Sequence, residues 1–162
     1  MKAKVRIILA AMLSVACLAA LVGCSGESAE QNAQTQNRQY MSSVNTIMDT
    51  LNTNMEEFAT AVKDGEVVSL DAQLEAVNKC VEDLNALTPP DAMTEIHKSY
   101  VTGATELQTA LTDYVQLYED VKAPQSGSFD YSTYDSRIAD IQSHYDAGIA
   151  ALQDADSKAQ SA

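Results

Sequence analysis

Cysteine and histidine could supply a thiolate nucleophile, the imidazole that activates it, or zinc ligands, and both residue types are scarce in this chain. The 162 residues contain three cysteines and two histidines; they are Cys17, Cys24, Cys80, His97 and His144. A thiolate attacks electrophiles, and an adjacent imidazole can activate it. A zinc site needs three or four ligands at about 2.0 to 2.3 Å. The chemistry open to the chain therefore depends on which of these side chains its elements bring together.

Cys24 lies at the boundary between an apolar leader and a polar sequence. Three basic residues within positions 2–6 precede an apolar run over 7–22, and SGESAE follows the cysteine. A basic start, a short apolar region and small residues before a cleavage point are typical of a secretory signal peptide. The run is shorter than the roughly 20 residues of a spanning helix. An uncleaved N-terminal anchor is the alternative, but no stop-transfer charges follow, which favours cleavage.

The residues Leu21-Val22-Gly23-Cys24 resemble the lipobox of bacterial lipoproteins. This resemblance implies that a diacylglyceryl group is attached to the Cys24 thiol and that the chain is cut between Gly23 and Cys24. Palmitate is expected among the acyl chains of the lipid. The resemblance also implies a lipid-anchored protein on the extracytoplasmic side of the cell membrane, with inner and outer membranes both left open. Two acyl chains anchor a protein stably where one does not.

Loss of the leader makes an acidic chain more acidic. The full chain carries ten basic and 23 acidic residues, a formal charge of −13. Removal of residues 1–23 takes away three of the basic residues and no acidic one, which leaves −16. That sign argues against nucleic acid and against electrostatic binding to anionic lipid. The lipobox resemblance implies the membrane as one partner, through the lipid on Cys24. An unidentified envelope protein or small ligand is the other expected partner, and no cofactor is expected.

The rest of the chain has the apolar spacing of helices. Large apolar residues recur every three or four positions in four segments, as in helices with one buried face. We predict a flexible tether over 24–38, a four-helix bundle over 39–158 and a frayed tail over 159–162. The helices are expected over about 39–63, 69–87, 89–121 and 130–157.

Short connections between these segments favour an all-α fold with an up-down-up-down antiparallel arrangement. The alternative is a three-helix arrangement in which 69–121 forms one kinked helix. Pro89 and Pro90 argue against it, because proline interrupts a helix interior.

A rough register of this bundle places Cys80 level with His97. One interpretation of Cys80 is a reactive thiol that the imidazole activates. The alternative is a small apolar residue on the buried face between Val77 and Leu84. The register also separates His97 from His144 by about 15 Å along the axis. We therefore expect the two histidines to be half-exposed helix residues and predict no metal site.

The same register sets Gly103 opposite Gly148, with Tyr100 and Tyr145 flanking them. Two glycines in helix interiors cost about 1 kcal/mol each, so they need a structural reason. One interpretation is close approach of the two helices. The other is a small groove in the middle of the bundle, where tyrosine hydroxyls could meet a ligand.

We expect no catalytic residues in this chain. Its paired carboxylates are adjacent in sequence, as at Glu56-Glu57 and Glu82-Asp83, and neighbours on a helix do not face each other. The prediction is a non-enzymatic binding or protein-interaction module of the cell envelope. The alternative is a small-ligand or cation-binding protein that uses the groove near Gly103 and Gly148.

A second resemblance covers residues 84–107, LNALTPPDAMTEIHKSYVTGATEL. This segment is similar to one in small, uncharacterised bacterial lipoproteins with helical-bundle domains. The residues that carry the similarity are Leu84, Leu87, Pro89, Pro90 and His97. The resemblance implies the same helical fold and no particular activity.

Overall fold

The computed structural model describes residues 29–64, 70–122 and 127–161. The α-helices are α1 (Ala29–Asp64), α2 (Asp71–Ala86), α3 (Thr94–Lys122) and α4 (Tyr134–Ala159). No strand occurs within the described ranges, so the prediction of an all-α chain is confirmed. The predicted leader over 1–23, the lipidation site Cys24 and the tether up to residue 28 lie outside the described residues.

Helix α1 begins ten residues earlier than the sequence pattern predicted. The tether predicted over 24–38 is wrong from Ala29 onward, because α1 starts there and runs for 36 residues. Residues 30–39 are almost all exposed, so packing does not hold this extension. Alanine, glutamine, glutamate and arginine are good helix formers, and extending a helix that is already nucleated costs little. The end of α1 at Asp64, next to Gly65, lies within one residue of the prediction.

The two prolines delay the start of α3. Leu87 adopts an extended conformation, with φ −73° and ψ 141°, and ends α2. A single 3₁₀ turn over Asp91–Met93 follows Pro90, and α3 begins at Thr94 rather than at residue 89. The residue before a proline is pushed out of the helical region, so two consecutive prolines hold the chain extended. The alternative of one kinked helix over 69–121 is therefore wrong.

A similar 3₁₀ turn over Tyr131–Thr133 precedes α4. The Asp130 carboxylate accepts a hydrogen bond from the Ser132 amide at 2.9 Å. Aspartate readily forms such local turns, and the regular helix follows from Tyr134 instead of residue 130.

Helices α3 and α4 run antiparallel, as their cross-helix contacts show. Glu106 contacts His144, and Asp120 contacts Arg137 at 2.7 Å. At the other end, the Ser99 hydroxyl donates to Asp154 at 3.1 Å. Residue numbers therefore fall along α4 as they rise along α3, and the two helices pair along most of their length.

The buried side chains of the described residues form two clusters. The first draws on all four helices, with Tyr40, Val44 and Leu51 from α1, Val77, Cys80 and Leu84 from α2, Ile96, Tyr100 and Ala104 from α3, and Ala155 from α4. The second lies between the far halves of α3 and α4 and includes Ala110, Leu117 and Ile141. Among the described residues, the helices therefore share one core at one end, whereas the α3–α4 pair has a small core of its own at the other.

Candidate functional site

Gly103 and Gly148 meet face to face between α3 and α4, as the register predicted. A Cβ atom added to Gly103 would lie 2.7 Å from Cγ of Leu152 and 3.0 Å from the Gly148 carbonyl oxygen. A Cβ atom on Gly148 would lie 2.9 Å from Leu107. Leucine side chains therefore fill the space beside both glycines. Of the two interpretations of this glycine pair, close approach of the two helices is the one that the contacts support, and they leave no groove at this position.

Tyr100 and Tyr145 do not line a ligand pocket there. Tyr100 is buried, and its hydroxyl donates to Asp156 at 2.6 Å. The Tyr145 hydroxyl is also shielded from solvent, and no hydrogen-bond partner for it occurs among the described residues. Both rings pack into the core clusters, Tyr100 into the first and Tyr145 against the second. Their role in the structure is packing, with one cross-helix hydrogen bond.

Cys80 and His97 do not form a reactive pair. Cys80 is only 3% exposed and belongs to the core cluster that all four helices share. Burial, reinforced by the charge of Asp83, raises the pKa of the Cys80 thiol to about 11, because both disfavour a thiolate. A thiol with this pKa is mostly protonated at neutral pH, and the protonated form is a poor nucleophile. Burial and the raised pKa favour the other interpretation, in which Cys80 is a small apolar residue on the buried face of α2.

His97 instead pairs with Tyr40 and links α3 to α1. The Tyr40 hydroxyl lies 3.0 Å from Nδ1 of His97, and the rings pack edge to face. Burial lowers the pKa of His97 and raises that of Tyr40 to about 12. The imidazole tautomer determines which of the two atoms, the hydroxyl oxygen or Nδ1, donates the proton in this hydrogen bond. This residue of the lipoprotein-like segment thus holds helices together.

His144 lies in an acidic setting on the α3–α4 surface. Its Nδ1 atom is 2.6 Å from Oε2 of Glu106. The hydrogen bond to Glu106, with the nearby charges of Asp113 and Asp140, raises the pKa of His144. Within the described ranges no group of three histidine, cysteine or acidic side chains is arranged to hold a metal ion. His97 and His144 therefore sit in separate environments with opposite effects on protonation.

An open groove lies between α1 and α2, and the sequence analysis missed it. It has a volume of about 290 Å³. Its base includes the buried residues Leu51 and Cys80. The remaining lining residues are Ile47, Thr50, Asn54, Ala72, Glu75, Ala76, Lys79 and Asp83. The groove therefore has an apolar floor and a polar rim.

A sequence signal for this groove exists in α2. Ala72, Ala76 and Cys80 recur at every fourth position, so small side chains form one stripe along the helix. Small residues on a helix face are compatible either with close packing or with a depression. The sequence alone does not separate these outcomes, since the result depends on the side chains that the neighbouring helix presents.

No helix in the described part of the chain combines the length and apolar character that crossing a bilayer requires. The acidic helices instead expose polar residues along most of their outer faces. Any attachment through Cys24 would involve residues outside the described ranges.

Comparison with known proteins places these features in a family. Residues 32–147, more than half of the chain, match the group described as "Family of unknown function (DUF6376)". The chain belongs to this family. The DUF6376 segment includes every residue that lines the α1–α2 groove as well as His97, and it excludes Cys24.

A curated relative of this DUF6376 protein is the uncharacterised lipoprotein YybP of Bacillus subtilis (strain 168). The two sequences are 41% identical over 63 residues, which are 38% of this chain and 43% of YybP. The match therefore spans less than half of the relative's length. The relative's name supports membership of the lipoproteins and assigns no activity. No solved structure matches the chain.

Proposed function

We propose that this protein is a lipid-anchored lipoprotein on the extracytoplasmic side of the cell membrane. In this proposal its helical domain is a non-enzymatic binding or protein-interaction module of the envelope. The observation that carries the proposal is the Leu21-Val22-Gly23-Cys24 sequence at the end of an apolar leader. Similarity to an uncharacterised lipoprotein supports the same assignment.

Attachment through Cys24 would give the domain a short link to the bilayer. Cleavage before Cys24 would make it the first residue of the mature chain, and α1 begins only five residues later. The exposed part of α1 up to residue 39 would extend about 16 Å at 1.5 Å per residue. A helical spacer would therefore separate the lipid from the packed part of the domain.

The non-enzymatic role is supported by the chemistry of the candidate residues. The thiol of Cys80 is protonated and buried, and His97 is engaged with Tyr40. His144 is tied to Glu106. General acid–base or nucleophilic catalysis needs such groups close to one another and accessible to a substrate. Their separation favours a protein that acts by binding.

We also propose that the four helices alternate in direction, as an up-down-up-down bundle. The antiparallel contacts of α3 with α4 support this arrangement. The short connections between successive helices support it as well. The shared core at one end, built from all four helices, is compatible with it.

Lipid labelling of Cys24 variants tests the anchor. We expect Cys24→Ser to abolish incorporation of a palmitate analogue and to release the protein from the membrane fraction. Cys17→Ser, which removes a thiol from within the leader, is the matched control and should be labelled normally. Unchanged labelling of the Cys24→Ser protein would refute the lipid anchor.

Cross-linking in intact cells tests the interaction role. The lipidated wild-type protein should capture a reproducible envelope partner, and the Cys24→Ser protein, separated from the membrane, should lose it. Absence of any specific cross-linked partner across growth conditions would count against an interaction module.

A further inference from the structure

The α1–α2 groove has the construction of a docking site for a helix. Its floor contains the aliphatic side chains of Ile47 and Leu51 with the small residues Ala76 and Cys80. Exposed side chains, Thr50 and Glu75 among them, stand at the rim. An amphipathic helix binds in such a groove by inserting side chains spaced three or four residues apart.

The open shape of the groove favours side chains of a partner over an enclosed small molecule. Small-molecule pockets usually have volumes of roughly 300 to 1,000 Å³ and bury most of the ligand. This groove has about 290 Å³ and is open along its exposed rim. It would accommodate a few aliphatic side chains while the rest of the partner stayed outside.

The charges at the rim of the groove indicate the sign of the partner's charge. Lys79 is the basic residue of the lining, and its amino group lies 2.8 Å from both carboxylate oxygens of Asp83. Glu75 also lines the groove, and its side chain is exposed to solvent. The surrounding chain has a large excess of acidic residues. Charge complementarity therefore favours a cationic partner.

We propose that the α1–α2 groove binds the apolar face of a basic amphipathic helix from another protein. Apolar side chains of that helix contact the floor formed by Ile47, Leu51, Ala76 and Cys80, and a lysine or arginine pairs with Glu75. This inference rests on the proposed interaction role and names the partner's chemistry and binding surface.

Model peptides test the groove directly on the lipidated protein in phosphatidylcholine nanodiscs. The probe is a fluorescent 14-residue helix of leucine and lysine with one apolar face, and its binding is followed by anisotropy. A scrambled peptide of the same composition and a leucine–glutamate helix are the peptide controls. Empty nanodiscs measure binding to lipid alone. We expect saturable binding of the leucine–lysine helix only, and photocross-links from its central leucine to α1 and α2.

Two substitutions locate the binding surface. Ala72→Leu places a larger side chain at the groove and should weaken binding roughly tenfold, as loss of an interface hot spot does. Ala86→Leu makes the same change on an exposed position of α2 outside the groove and should leave affinity unchanged. Glu75→Gln should weaken binding about two- to threefold and reduce its salt dependence, as removal of a rim charge does. Glu30→Gln, an equivalent exposed change far along α1, should have no effect.

Equal binding by Ala72→Leu and Ala86→Leu, or equal binding of the acidic and basic helices, would overturn the proposal. So would binding of dodecyltrimethylammonium in place of the peptide, which would indicate a small-amphiphile site. If the Ala72→Leu protein instead captures a cellular partner normally, with no displacement by the leucine–lysine helix, that result would also overturn the groove as the binding site. That last result would leave the general interaction role standing, whereas failure to capture any partner would count against that role instead.

Discussion

The α3–α4 contact and the α1–α2 contact both carry small residues, yet one is closed and the other is open. Gly103 and Gly148 face each other, and Leu107 and Leu152 fill the space beside them. On α2, the stripe of Ala72, Ala76 and Cys80 instead borders a groove of about 290 Å³. Small residues therefore do not determine whether a gap forms. The outcome depends on whether side chains from the same or the opposite helix reach over them.

The closed α3–α4 contact and the open α1–α2 groove differ in what they can contribute, the first to stability and the second to binding. A tightly packed helix pair excludes water and maximises dispersion contacts, whereas an open groove retains apolar surface that a partner can cover. We infer that the packed α3–α4 pair supports the domain and that the α1–α2 side carries the binding surface. The following experiments would break or sharpen this comparison.

The largest expected effect concerns the thiol on the floor of the groove. At neutral pH, Cys80 should react with iodoacetamide roughly 100-fold more slowly than an ordinary exposed thiol, because its raised pKa lowers the thiolate fraction. The control is Ala86→Cys in a Cys80→Ser background, which places a thiol on an exposed position of the same helix. Equal rates would show that the groove floor is freely open to solvent, contrary to the burial of Cys80.

The second experiment concerns the closed contact. Gly103→Ala should lower the free energy of unfolding by about 2 kcal/mol, since the added Cβ overpacks a filled space against Leu152 and the Gly148 carbonyl. If a cavity existed there, the same change would instead stabilise the helix by about 1 kcal/mol. Chemical denaturation distinguishes the signs. Thr102→Ala, an exposed neighbour, should change stability by less than about 0.5 kcal/mol.

The third experiment uses the two histidines, whose environments should shift their protonation in opposite directions. In proton NMR titrations, His144 should titrate above its ordinary value near 6.5 and His97 below it. Glu106→Gln should return His144 toward the ordinary value, while His97 should not change. Titration of both rings at the same pH would contradict the effects of the Glu106 hydrogen bond on His144 and of burial on His97.

These shifts have opposite consequences for stability. The contribution of His144 to the free energy of unfolding is fully present below pH 6.5. It is lost as the pH rises through the raised pKa of His144 in the folded state. For His97, the unfolded chain takes up a proton more readily, so stability falls as pH drops below 6.5 and levels off below the lowered folded-state pKa. Comparison of pH-dependent denaturation for wild type, Glu106→Gln and Tyr40→Phe separates the two contributions.

The smallest effect is expected at the exposed start of α1. Gln34→Pro should remove helical signal over the first turns in circular dichroism and change the unfolding free energy of the core by less than about 0.5 kcal/mol. Proline in a packed stretch, as in Ser43→Pro beside the buried Val44, should cost about 3 kcal/mol or more. Equal destabilisation by the two variants would mean that the N-terminal extension is part of the packed structure.

Much of the helical organisation could be predicted from apolar spacing, because each buried face repeats its pattern locally. The end of α1 near Gly65 and the break at Pro89-Pro90 follow from backbone preferences that one or two residues carry. The early start of α1 was missed because residues 30–39 have no apolar stripe. Apolar spacing indicates which helix face is buried. An exposed stretch of good helix formers can extend a helix without showing any apolar spacing.

The candidate sites divide in the same way. The sequence by itself determined the all-α class, the acidic surface, the opposition of Gly103 to Gly148 and the candidate lipid site at Cys24. These depend on composition, period and local motif. Only the tertiary structure decided that leucines close the glycine contact, that His97 pairs with Tyr40 instead of Cys80, and that the open surface lies between α1 and α2. Each of these depends on side chains distant in sequence, whose reach and packing no local pattern records.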